Sequence, residues 1–107
     1  MSKKPNVLDN LREIAPKLVE LTEQVAYADV WERPELSKRD RSLITVAALV
    51  AMNRTQQLPG HLNRAQNNGV TREELIEAIT HLSFYSGWPT TLTAATIAKD
   101  VFEARDD

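Results

Sequence analysis

Apolar residues return every three or four positions over the first quarter of the chain: Leu8, Leu11, Ile14 or Ala15, Leu18, Leu21 and Val25. That spacing winds them into a single stripe on a helix covering about residues 6–26. Pro16 lies inside the pattern and predicts a kink or a break, because its ring removes one helix hydrogen bond. Tyr27 to Leu36 follows, with Trp31 and Pro34, and reads as an irregular connection or a short helical turn. Ser37 is a fitting N-cap for a second helix over about 38–53. The middle of that helix, Leu43 through Met52, is apolar almost all round. Such a run is too short to span a bilayer and predicts a buried central helix.

A third helix is expected over about 56–68, with Pro59 in its first turn and Gly69 in the left-handed conformation that ends it. Thr71-Arg72-Glu73-Glu74 is a capping box, in which the Thr71 hydroxyl and the Glu74 carboxylate each satisfy the other's backbone amide. The helix it opens runs over about 72–86 and stops at Gly87. Pro89 suits the first turn of a last helix, about 89–104. No segment alternates with period two, so no strand is predicted. The pattern as a whole predicts an all-α chain, a compact helical bundle in one domain over residues 1–107.

The fourth helix has two faces worth separating. At 100° per residue Leu75, Ile76, Ile79, Leu82 and Ser86 fall on one side and serve the core. Glu77, His81, Phe84 and Trp88 fall opposite, with Tyr85 at the edge; Trp88 belongs there only if helical geometry persists through Gly87. Each large ring buries roughly 150–250 Å² when covered, so this second face calls for a cover. Either a neighbouring segment such as the first helix or a second subunit supplies it, and the latter would put Glu77 and His81 at the edge of a subunit-formed cleft. The last helix opens with the small residues of Thr90-Thr91-Leu92-Thr93-Ala94-Ala95-Thr96, which suit close helix packing or leave room for a ligand beside Trp88.

Composition narrows the chemistry. At 107 residues there is room for one core. The net charge of −2 gives no basic stripe for a nucleic acid, and Lys38, Arg39 and Arg41 are interrupted by Asp40. Charged residues punctuate the region from Val7 to Val25, so neither a signal peptide nor a membrane span is expected and the cytoplasm is the default. The absence of cysteine removes disulfides, Cys-ligated zinc and thiol catalysis. Two histidines remain, His61 and His81, on different helices and without His-x-x-x-His spacing, so no metal site is expected.

Several segments in register resemble the carboxymuconolactone decarboxylase family, over about residues 27–104. They are Trp31-Glu32-Arg33-Pro34-Glu35-Leu36-Ser37, Arg39-Asp40-Arg41-Ser42-Leu43-Ile44-Thr45, Leu58-Pro59-Gly60-His61-Leu62, Asn68-Gly69-Val70-Thr71-Arg72-Glu73-Glu74, and His81 through Tyr85-Ser86-Gly87-Trp88-Pro89. The resemblance implies an all-helical fold of the alkylhydroperoxidase-like type, no cofactor, and a homo-oligomer, trimer or hexamer. One branch of that family is peroxidase-like and uses a Cys-x-x-Cys pair just before a histidine. With His61 as that histidine the thiol positions here are Arg54 and Gln57, so the resemblance does not extend to thiol peroxidase chemistry. The other branch decarboxylates 4-carboxymuconolactone, and it implies a small-molecule substrate of that kind.

Loss of a carboxylate conjugated to a lactone carbonyl leaves an extended dienolate. Catalysis then needs a cation for the substrate carboxylates, a donor for the growing charge on the lactone oxygen, and an acid to protonate the α-carbon. Arg41 is the candidate cation, His61 and His81 are candidate acid and oxyanion donors, Tyr85 is a further donor, and Glu77 is placed to orient His81. Trp88 and the small-residue helix would keep the site dry. For each of these residues an ordinary packing or surface role stands beside the catalytic one. The alternative function is therefore a non-catalytic oligomeric binding or scaffold protein of the same family. Gln56-Gln57 stands where members commonly carry an acid, and an amide orients a histidine without relaying a proton; this marks a divergent member.

Overall fold

The computed structural model of the protein describes residues 7–107, which are helical with no strand among them. The backbone divides into two units, the first ending at Glu35 and the second covering Leu36–Asp107.

In the first unit the helix expected over 6–26 is divided; its first position, Asn6, lies outside the described residues. Helix α1 covers Val7–Leu11 and α2 covers Pro16–Leu21, with Pro16 in its first turn. The break falls where the proline has no amide to donate. From Thr22 to Tyr27 the backbone widens into a π-helical stretch, continued in the hydrogen bond from the Ala28 amide to the Glu23 carbonyl at 3.0 Å. Arg12 holds this turn to α1 through a two-pronged contact with Glu23, both arms at 2.9 Å, and a third contact with Asp9 at 3.2 Å. The hydrogen bond to Arg12 keeps the Glu23 carboxylate below its ordinary pKa. A short 3-10 turn, Val30–Glu32, completes the unit and rests the Trp31 ring beside that of Tyr27 at 5.9 Å.

The second unit holds four helices: α3 (Lys38–Ala51), α4 (Leu58–Asn67), α5 (Arg72–Ser86) and α6 (Trp88–Asp106). Ser37 caps α3 through the Asp40 amide, and the capping box at Thr71 and Glu74 is complete. Gly69 takes a φ of +98° after α4. Gly87, at φ 94° and ψ 152°, is the whole link between α5 and α6, so Trp88 opens α6 and does not continue α5. Both α3 and α6 pack against each of the other three helices. Their shared core is Val46, Val50, Leu58, Leu62, Ala65, Val70, Leu75, Ile79, Ala94, Ala98 and Val101.

Two details of burial differ from the sequence pattern. Helix α3 buries only the row Ser42, Val46 and Val50, and Ile44 is 57% exposed. Rows four residues apart fill the grooves of a neighbouring helix, so an apolar run still shows one side outward. Likewise α5 buries Leu75, Ile79 and Ser83, leaving Ile76 at the surface and Ser86 half-buried. Ser83 tolerates burial because its hydroxyl meets that of Thr91 from α6 at 2.7 Å. Arg72 ties the far ends of α5 and α6 together: it reaches Asp106 at 2.6 and 3.0 Å and lies over the Phe102 ring. Among the described residues no helix is long and apolar enough to cross a membrane.

Candidate functional site

Glu77 and His81 sit one turn apart on α5, and both line an open hollow of about 400 Å³ against α3. Its walls are Leu43, Ala47, Ala78 and Leu82, and Glu74 completes the rim. Sequence reasoning did not single out Glu74 for the site because its part in the capping box accounts for it. One Glu74 oxygen serves the cap, while the other accepts from Arg39 across the α3–α5 interface. The Tyr85 ring lies tilted on His81, centroids 5.0 Å apart. Glu77, His81 and Tyr85 are therefore brought together.

Phe84 and Trp88 turn to a different hollow, of about 320 Å³, floored by the buried Ser83–Thr91 hydroxyl pair. The single arc expected on α5 is thus two surfaces, because Gly87 redirects the chain before Trp88. The two rings still meet edge to face at 5.1 Å, and both are largely exposed, Phe84 at 75% and Trp88 at 53%.

Arg41 lies in the first turns of α3, half-buried, with its Nε donating to the Leu36 carbonyl at 3.2 Å. It does not line the Glu77–His81 hollow, and neither does His61.

His61 is held by α4, whose Leu58, Leu62 and Ala65 face the core. The imidazole occupies the margin of that face and is half-buried. Its Nδ1 is fully shielded and makes no hydrogen bond. Burial first, and then the positive charge of Arg64, push the imidazole below its ordinary pKa. His61 is therefore neutral at pH 7, able to donate from one ring nitrogen and accept at the other. Arg64 was not among the residues singled out from the sequence, although its place three residues after His61 puts it on the same helix face. Among the described residues no group of three or more His, Cys, Asp or Glu side chains is placed to hold a metal ion.

Two known proteins resemble the chain over most of its length. The chain is 40% identical over 96 residues to a 4-carboxymuconolactone decarboxylase of Acinetobacter baylyi, covering 90% of this chain and 72% of that protein. It is 33% identical over 94 residues to a nitrosuccinic acid decarboxylase of Metarhizium robertsii, covering 88% of this chain and 66% of that protein. Residues 16–100 match the carboxymuconolactone decarboxylase family, a stretch that includes all four helices of the second unit except the end of α6. By that match, and by an identity that runs through nearly the whole sequence, the chain belongs to the carboxymuconolactone decarboxylase family.

Proposed function

We propose that this protein is a cofactor-independent carboxy-lyase that releases carbon dioxide from a small carboxylate such as 4-carboxymuconolactone. The observation that carries the reading is the 40% identity, across 90% of the chain, to a protein that bears that activity in its name. The second relative is named for nitrosuccinic acid, and the two compounds share a chemical feature. Each holds a carboxylate near a group that accepts an electron pair, the lactone carbonyl in one and the nitro group in the other. Loss of carbon dioxide leaves that pair delocalised into the acceptor oxygen, and a proton then adds at the α-carbon of the lactone in the first compound and at the carbon that bears the nitro group in the second. The substrate class is thus a carboxylate beside an electron sink.

His61 is the centre of the proposal. A neutral imidazole in a partly shielded setting donates a hydrogen bond to a developing oxyanion, and the shielding strengthens it. Glu77 and His81, with Tyr85 against the ring, offer a second acid–base group on the apolar hollow, and Arg41 remains a candidate cation. Trp88 contributes an apolar wall to the separate hollow beside Phe84. A homo-oligomer, trimer or hexamer, belongs to the same reading, because the exposed rings of Phe84 and Trp88 meet in a patch that a second copy would cover.

The test is direct. The full chain incubated with 4-carboxymuconolactone and, separately, with nitrosuccinate should evolve carbon dioxide from at least one of them above the spontaneous rate. No release above that rate from either compound overturns the proposal.

A further inference from the structure

4-Carboxymuconolactone and nitrosuccinate share a second feature. In each, the carbon that loses carbon dioxide also bears a methylene arm ending in another carboxylate, and that carboxylate stays behind. The two anionic groups place opposite demands on a protein. The leaving carboxylate gives up its charge as the bond breaks, so a cation held against it stabilises the ground state more than the transition state. The retained carboxylate keeps its charge throughout, and a cation there binds both states alike. A positive seat for the retained arm is therefore what such a site can use.

Most cations of the chain are already engaged. Among the described residues Arg12, Lys17, Arg33, Arg39, Arg72 and Lys99 each stand in an ion pair with a carboxylate. Arg105 of α6 donates to the amide oxygens of Asn63 and Asn67, and Lys38, Arg41 and Arg64 have partners of their own. Arg54 is the one described cation whose side chain has none, and it is open to solvent.

Its backbone, by contrast, is held on both sides. Helix α3 ends with Asn53 in the left-handed region at φ 57°. The Asn53 amide donates to the Val50 carbonyl at 3.0 Å, and the Arg54 amide reaches back to the Leu49 carbonyl at 2.8 Å. That nested pair of bonds is the Schellman ending of a helix. The Arg54 carbonyl then accepts from the Leu58 amide at 3.2 Å, and the Gln57 carbonyl accepts from the His61 amide at 3.4 Å, so the winding of α4 reaches back to Arg54. Positions seven apart on such winding return to nearly the same face, about 10 Å from each other along the axis. Arg54 and His61 stand in that relation. The Cα–Cβ bond of a helical residue tilts toward the helix N-terminus, which for His61 is the end where Arg54 stands. A free guanidinium on a fixed backbone thus flanks the imidazole at the centre of the proposed function.

We propose that Arg54 holds the retained carboxylate of a dicarboxylate substrate through two parallel N–H donors of its guanidinium, while His61 serves the electron sink. The inference rests on the decarboxylase reading for its ligand class and adds what that reading leaves open: the substrate is a dicarboxylate, and Arg54 selects it. Because the contact is the same before and during bond breaking, its loss raises KM more than it lowers kcat.

The experiment uses the full chain and 3-nitropropanoate, the compound left when nitrosuccinate loses carbon dioxide. This probe carries the retained carboxylate and the nitro group, so calorimetric titration reads binding without turnover. The wild type should bind it, and Arg54→Gln should weaken that binding about tenfold or more, the scale of a hydrogen-bonded charge. Arg54→Lys, which keeps the charge but not the fork, should lose less. 1-Nitropropane, which lacks the carboxylate, should bind more weakly, and equally to the wild type and to Arg54→Gln. Circular dichroism of each variant checks that the helices remain. A wild type that does not bind 3-nitropropanoate, or a folded Arg54→Gln that binds it as tightly, overturns the seat. The two proposals fail separately. Arg54-dependent binding without carbon dioxide release from either substrate retires the lyase and keeps the seat. Carbon dioxide release with an unchanged KM in Arg54→Gln does the opposite.

Discussion

His61 carries the strongest electrostatic signature of any side chain proposed for the site. Its pKa is depressed in the folded chain, so the unfolded chain binds a proton more readily between the two values. The corresponding stability is fully present above the unfolded value of about 6.5 and is lost as pH falls through the lower folded value. The thermal midpoint should therefore fall as pH is lowered from 7.5 to 5, and His61→Gln should flatten that fall. An identical slope in the variant would mean that His61 is not held neutral by its surroundings. A core residue of the same helix behaves differently: Leu62, fully buried, should cost about 2–5 kcal/mol as Leu62→Ala at any pH, measured by urea unfolding. At this scale the sequence exposed His61 through its segment Leu58-Pro59-Gly60-His61, but not its state. The shielding of Nδ1 depends on how α4 seats against its neighbours, and no local pattern encodes that.

The elements of the second unit were the most legible part of the chain. Ser37, the Thr71–Glu74 box, Gly69 and Gly87 are each a local device, and each stands where the sequence places it. Removing the hydroxyl in Thr71→Ala should destabilise the protein by about 0.5–2 kcal/mol, since one orphan amide of α5 loses its acceptor. Gly87→Ala should cost about 1–3 kcal/mol, because φ 94° with ψ 152° is a region that side chains avoid. The cost is in the backbone: an added Cβ would meet only the Pro89 ring, at an ordinary 4.0 Å. Both values are readable from chemical denaturation of the single variants. Less legible were the faces. The apolar run of α3 and the split surfaces around Phe84 and Trp88 follow from which ridge enters which groove, a tertiary choice that periodicity leaves open. The π-helical stretch at Thr22–Tyr27 was equally hidden, for an i to i+5 bond leaves no residue signature.

For the whole molecule, family membership joins these parts to a reaction class, and the exposed rings are the ground for the proposed assembly. Sedimentation should find a species larger than the monomer at micromolar concentration, and Phe84→Ser with Trp88→Ser should shift it toward the monomer. A monomeric wild type under those conditions would remove the oligomer from the account. Cysteine-free sequence already excluded thiol chemistry, but it could not choose between a lyase and a silent relative, since that choice rests on a substrate. The central claim is that His61 takes part in releasing carbon dioxide from a small carboxylate. The measurement that addresses it most directly is kcat for carbon dioxide release from 4-carboxymuconolactone by the wild type and by a folded His61→Ala variant. The account predicts a loss on the order of 10²-fold or more, the usual scale for removing a hydrogen-bond donor to an oxyanion. Equal turnover by the two proteins would contradict it.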